Sequence, residues 1–313
     1  MRYEGPPRAS NSTPAGGSEA AKPRARGDHT RGARTAALRR TQRGLALIIA
    51  MLVAALAAAI TVSLGAAQTQ WMAQVANRRD KVQAQSIALA GIQWTRQILD
   101  ADGRATTIDH PREPWALPLP PTPVENGSVE GRIVDAQSFL NANNLRGGAH
   151  ATFERRRFER LFEAQRLPSE LLGVLADQAM RPLRMQELAT AHAMTPATLA
   201  VLMRYVTALP EDTPLNVNTA SSEALAASIA NVDAGAMTQL IASRAGRPFT
   251  SLADFRQRLP AGASIGDEAM YTVKSRYFLV SVRARQGDTI AQAHALVDRG
   301  GSASSRVVWQ TVE

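Results

Sequence analysis

Several residue groupings could in principle do chemistry. Gly262-Ala263-Ser264-Ile265-Gly266 has the spacing of a nucleophile elbow, where a serine on a strained strand-to-helix turn is exposed for acyl transfer. Here it follows Arg256-Gln257-Arg258-Leu259-Pro260, which reads as a helix end, so the strand the turn requires is missing and an inter-helix loop is expected. His29, His110, His150, His192 and His294 show no metal-ligand spacing, and with no cysteine a thiolate centre and disulfides are excluded. Asp267-Glu268 and Glu211-Asp212 stand in loop-like sequence suited to capping helices. No catalytic constellation emerges, and the chain reads as a non-enzyme.

The elements that would position such residues are organised around one apolar stretch. Basic residues stop at Arg43, and no charged side chain occurs from Gly44 to Asn77. Leu45 to Ala67 is slightly longer than the ~20 apolar residues that span a bilayer core. Past Ala67 the pattern becomes one-sided, with Trp71, Val75, Val82, Leu89, Ile92 and Leu99 at helical spacing and no proline before His110, which predicts one helix continuing out of the membrane. Ahead of it, residues 1–43 hold ten Lys/Arg against three acids, most of the net +9; the rest of the chain is nearly neutral. This leader is too poor in apolar residues to fold and carries the positive-inside signal of a cytoplasmic N-terminus.

At Arg43-Gly44-Leu45 the chain resembles a type IV prepilin: a basic leader ending in Gly, then a hydrophobic residue opening a continuous apolar helix. The resemblance implies cleavage between Gly44 and Leu45 by a prepilin peptidase and N-methylation of Leu45. The leader is long for the family, which suggests a start downstream of Met1. Most pilins carry Glu at the fifth mature position, which here is Ile49. A carboxylate in an apolar bundle persists only where a cation compensates it, and in an assembling pilin that cation is the terminal amine of the subunit ahead. A subunit with nothing ahead has no such amine to meet, so Ile49 suggests the tip of a fibre.

Beyond the helix, Pro111, Pro114, Pro118, Pro120, Pro121 and Pro123 predict an extended connector over 101–124 with neither helix nor central strand. A strand is expected over 128–139. The region from Ala149 to about Tyr271 is helical by periodicity, with helices near 169–180, 184–192 and 196–208 and a further one capped by Thr219 or Ser221. Arg155-Arg156-Arg157 reads as the solvated face of one of these helices. Alternating strands follow over 276–285, 289–299 and 305–312, with a turn at Gln286-Gly287-Asp288.

Val134 to Leu145, with its Asp and three asparagines, resembles the turn of the minor pseudopilin K family of type II secretion systems, whose fifth position also lacks Glu. Leu215 to Leu225, Ala236 to Arg244 and Pro248 to Phe255 resemble both the inserted α-domain of that family and the helix-hairpin-helix domain of competence DNA receptors. Where a DNA-binding hairpin needs glycines to approach phosphate, this chain has Ala230-Asn231-Val232-Asp233, and its near-neutral mature part argues against DNA as a partner. The resemblance allows calcium in the α-domain, but between Leu175 and Arg184 only Asp177 remains of the acidic segment, so no metal site is carried over and no cofactor is expected.

The fold expected is α+β: a pilin-like long N-terminal helix on a small antiparallel sheet, with a large inserted all-α domain. Residues 1–44 form a disordered, cleaved leader, 45–67 the transmembrane part of the helix and 68–100 its periplasmic part. Residues 101–148 form the Pro-rich connector and first strand, 149–271 the α-domain and 272–313 the remaining strands. The resemblance implies a single-pass protein of the bacterial inner membrane, with a periplasmic C-terminal domain. It implies a minor pseudopilin that initiates or caps a type II secretion pseudopilus, exporting folded periplasmic proteins across the outer membrane. Other minor pseudopilins, the major pseudopilin, the prepilin peptidase and the inner-membrane assembly platform would be its partners. The alternatives are a membrane-anchored competence DNA receptor and a minor pilin of a type IV pilus.

Overall fold

The computed structural model describes residues 31–177, 194–300 and 304–313, with side chains described from Gly44 onward. The chain divides into two units, Met1–Trp71 and Met72–Glu313. Helix α1 (Arg31–Ala105) contributes to both.

In the first unit every residue from Gly44 to Trp71 is exposed. An 18-residue window here reaches a mean hydropathy of 2.8 with none of it buried, so the helix is long and apolar enough to cross a membrane. Its few polar side chains turn back on the backbone: the hydroxyls of Thr61 and Thr69 donate to the carbonyls of Ala57 and Gly65 at 2.8 and 3.0 Å. Such i−4 bonds satisfy hydroxyls where no water is available. The helix begins at Arg31, so the end of the leader read as disordered is helical. Its Ala, Leu, Arg and Gln content there favours continuing the helix backwards once the apolar stretch has nucleated it.

The second unit is built on a five-stranded antiparallel sheet in the order β1-β2-β9-β10-β11. Its strands are β1 (Leu119–Val124), β2 (Gly127–Asp135), β9 (Tyr277–Gln286), β10 (Thr289–Asp298) and β11 (Arg306–Val312). The alternation read over 276–299 is seen directly, with Phe278, Val280, Val282 and Ala284 buried on one face. Gly287, at φ +54°, makes the two-residue turn that sets the β9–β10 register. The proline connector holds no central strand, but it does supply one at the edge. β1 carries Pro120, Pro121 and Pro123 at the sheet edge, where the missing N–H groups interrupt no second ladder.

From Met72 onward α1 lays Ala84, Ala88, Ile92 and Leu99 on the sheet, against Ala291, Ala293, Ala295 and Val297 among others. The stripe drawn from Trp71, Val75 and Val82 is therefore wrong in its first half. Those residues are exposed, and the contact face is carried by alanines that hydrophobic periodicity underweights.

The α-domain is inserted between β2 and β9, neighbours whose facing ends are Asp135 and Phe278. Its described helices are α2 (Ala151–Gln165), α3 (Glu170–Asp177), α4 (Pro196–Tyr205), α5 (Ser222–Ser228), α6 (Ala234–Gly246) and α7 (Leu252–Gln257). The helix expected near 184–192 lies outside the described residues. Ser221, not Thr219, caps α5 by accepting from the Ala224 N–H at 3.1 Å. Short strand pairs tie the domain together: β3 (Leu140–Asn141) with β4 (Val206–Thr207), β5 (Leu215–Asn216) with β8 (Tyr271–Thr272), and β6 (Ile229–Ala230) with β7 (Ser264–Ile265). A core of leucines and aromatics fills its interior.

Candidate functional site

Gly44, Leu45 and Ile49 lie inside α1, with Leu45 61% and Ile49 52% exposed. Apart from its own helix's neighbouring backbone, no described atom stands within 4 Å of where a side chain on Gly44 would begin. A scissile peptide in a helix must unwind before a protease can engage it, and glycine is where the helix is weakest, by roughly 1 kcal/mol relative to alanine. Ile49 presents an apolar side chain to whatever surrounds the helix.

The asparagine-rich turn joins the sheet to the α-domain. Asn141 donates through Nδ2 to the Glu211 carbonyl at 2.8 Å and accepts through Oδ1 from the Leu209 N–H at 3.0 Å. Asn144 brackets Thr213, accepting from its N–H at 3.0 Å and donating to its carbonyl at 2.9 Å. These amides act as backbone surrogates, filling donors and acceptors of segment 209–213 that no strand reaches. The second junction centres on Asp135. Its Oδ2 accepts from Asn216 Nδ2 at 2.9 Å, Ser275 Oγ at 2.7 Å and Thr219 Oγ1 at 2.5 Å. Its Oδ1 accepts from the Gln137 N–H at 2.8 Å. Burial pushes the Asp135 carboxyl up to about 6, although the Ser275 and Thr219 hydroxyls pull it back. Asp135 and Asn216 stood in the Asp/Asn-rich stretches already singled out. Ser275 and Asp109, which joins this network through the Ser275 N–H at 2.6 Å, did not.

The remaining chemistry-bearing residues are dispersed. Ser264 lies in a two-residue strand rather than the expected loop, and is exposed. Asp267 caps a 3-10 turn and meets His150 Nδ1 at 2.5 Å, a hydrogen bond that raises the His150 pKa. Glu211 pairs with Arg276 and accepts from Tyr277 Oη at 2.8 Å. His294 Nδ1 lies 3.1 Å from Ser281 Oγ on the exposed sheet face, with no carboxylate on that imidazole among the described residues. His29 and His192 lie outside the described residues. The arginine run was misread in one position. Arg155 and Arg156 are exposed, but Arg157 is 1% exposed, pairs with Glu154 at 2.5 Å, and lies over the Phe153 and Tyr271 rings. A guanidinium can be buried this way because its flat faces stack while its edge is hydrogen-bonded.

At the hairpin between α5 and α6, Asp233 caps α6 and accepts from the Ala236 N–H at 2.8 Å. The protein's own carboxylate thus takes the helix N-terminus that a DNA phosphate would need. Elsewhere in the second unit, α1, β1 and β2 border an apolar groove of about 390 Å³ whose lining includes the exposed Trp94 and Leu117.

The sequence profile of "Type II secretion system (T2SS), protein K" matches residues 215–274, from the second junction through α7 to β8. Type II secretion system protein K of Pseudomonas aeruginosa is 28% identical over 310 residues, covering 87% of this chain and 93% of that protein. Among solved structures, the GspK-GspI-GspJ complex of the enterotoxigenic Escherichia coli type 2 secretion system contains a chain with this fold. Its TM-score is 0.62 at 17% identity, over 77% of this chain and 99% of that one. With an apolar helix, a helix-on-sheet domain and an α-domain insert between neighbouring strands, the chain is similar in sequence and in fold to type II secretion system protein K.

Proposed function

We propose that the chain is a minor pseudopilin at the tip of a type II secretion pseudopilus. There it initiates or caps assembly of the fibre that exports folded proteins from the periplasm. In this reading the basic leader stays in the cytoplasm, a prepilin peptidase cuts between Gly44 and Leu45, and Leu45 to Ala67 sits in the inner membrane. The remainder is periplasmic and acts by assembly rather than catalysis. Its partners are the other minor pseudopilins, the major pseudopilin, the peptidase and the assembly platform; the complex in which the Escherichia coli GspK was solved supports the first of these.

Ile49 carries the tip assignment. A subunit packed only against helices below it meets no amine ahead, and an apolar fifth residue suits that place. The test compares Ile49→Glu with Ile49→Leu, scored by secretion, by co-purification with the companion subunits, and by mass spectrometry of the N-terminus. An acid at a helix centre costs roughly 3 kcal/mol on insertion scales, an upper bound for the fifth residue of the apolar stretch. Assembly should therefore fail for Glu and persist for Leu, with both chains starting at methylated Leu45. Equal assembly by both variants would remove the tip argument, and an uncut leader would remove the prepilin reading itself.

A further inference from the structure

We propose that Asp102, Asp109 and Glu113 form a site for a hard divalent cation where α1 ends and the connector begins. The three residues offer one carboxylate oxygen each, all within 4.8 Å of one another. Oxygens sharing a calcium ion at ~2.4 Å can stand no farther apart than about this.

Two further observations point to a ligand. Asp109 and Glu113 are 0% and 4% exposed, yet Asp109 Oδ1 and Glu113 Oε1 accept no hydrogen bond from any described group. Their sister oxygens are fully engaged. Asp109 Oδ2 accepts from the Ser275 N–H at 2.6 Å and Arg299 Nη2 at 2.5 Å. Glu113 Oε2 accepts from the His110 N–H at 2.8 Å and Trp115 Nε1 at 2.9 Å. Each carboxylate is thus locked in place with one oxygen left over, and a buried acceptor with no partner is costly unless something else fills it.

The second observation is charge. Arg299, 2.6 Å from Asp102 and 2.5 Å from Asp109, is the guanidinium that pairs with this cluster among the described residues. Lys274 points its ammonium instead at the carbonyls of Gly103 and Thr106, at 3.2 and 2.9 Å. Three buried carboxylates against one guanidinium leave two negative charges uncompensated, which a divalent cation would neutralise. Carboxylate oxygens without imidazole or thiolate select calcium- or magnesium-like ions. These residues belong to the helix end and connector, not to the α-domain segment around Asp177, and the proposal does not depend on the tip assignment.

The full-length chain in detergent, stripped with EDTA, should bind terbium(III) with emission sensitised by Trp115, whose indole is hydrogen-bonded to Glu113. Calcium should displace the terbium. At a hundredfold excess over its Kd, calcium should raise the thermal midpoint by roughly 5–10 °C. Glu113→Gln keeps an oxygen for the His110 and Trp115 donors, so the fold should survive while affinity falls roughly tenfold or more with the lost ligand charge. Asp102→Asn is the second variant should that one not fold. Trp115→Phe should abolish the emission and keep the calcium-induced shift. Emission indifferent to Glu113→Gln, or a midpoint that neither calcium nor magnesium moves, overturns the proposal.

Discussion

Between helix and sheet the contact is rich in small residues, whereas large ones dominate the α-domain core. On the first side stand Ala84 and Ala88 of α1 and Ala284, Ala291, Ala293 and Ala295 of the sheet. On the second stand Phe158, Phe162, Phe249, Phe255 and Tyr271, with Phe249 and Phe255 edge to face at 5.0 Å. Alanine contributes little area per residue but lets backbones approach, so the helix position is set by steric contact. Aromatic rings contribute area and volume, so the α-domain depends on filling its interior.

The largest effect that could break this contrast is loss of a ring. Phe255→Ala should destabilise the α-domain by about 3–5 kcal/mol, while Ala88→Gly on the helix should cost only about 1 kcal/mol. Thermal melts of the two full-length variants decide it. Equal losses would mean that both cores are limited by the same term.

Between the two cores, Asp135 sharpens the comparison, because it belongs to the junction and not to either interior. Its carboxyl titrates near 6 in the folded chain, above its ordinary value of 3.8. The folded state holds that proton more tightly than the unfolded one. Its contribution is therefore full below about pH 4 and is lost as pH rises through about 6, on the order of 3 kcal/mol. Asp135→Asn has no proton to lose, so the fall in stability between about pH 4 and pH 6 should flatten relative to the parent. An identical slope in the variant would show that Asp135 stays ionised throughout.

The smallest effect concerns contact distance. A Cβ added to Gly91 would lie 2.7 Å from Val282 Cγ1. Alanine is the better helix former by about 1 kcal/mol, but overpacking costs roughly 1–3 kcal/mol, so Gly91→Ala should be destabilising by about 1 kcal/mol net. Adding Val282→Ala should relieve the clash, and a double-mutant cycle would read the coupling. Additive losses would show that the helix can retreat from the sheet at no cost.

The same contrast explains what the sequence disclosed. The strands ending in Gln286 and Asp298 declare themselves because β-branched and aromatic residues alternate with arginine and glutamine. The apolar anchor declares itself by length alone. The alanine face of α1 does not, since alanine is equally at home exposed, and the pattern around Val75 and Val82 drew the eye to the wrong side. Arg157 escaped because burial of a guanidinium depends on Glu154, Phe153 and Tyr271 meeting it at once, and Tyr271 is far along the chain. The carboxylate cluster escaped for the same reason: Asp102 and Asp109 look like ordinary helix-end acids until Arg299 arrives 197 and 190 residues later.

The insertion between β2 and β9 also has a kinetic consequence. Ser275 and Asp135 meet although they are 140 residues apart in sequence. Joining the two strands through an unstructured loop of that length would cost about 4 kcal/mol more entropy than the two-residue turn joining β9 to β10. A folded α-domain shortens the path, because its β5–β8 pair and the Asn141 and Asn144 bonds bring the two ends together first. The central strand pair of the sheet is then the last part of the chain to close, and its rate reports the folding of a domain it does not contain.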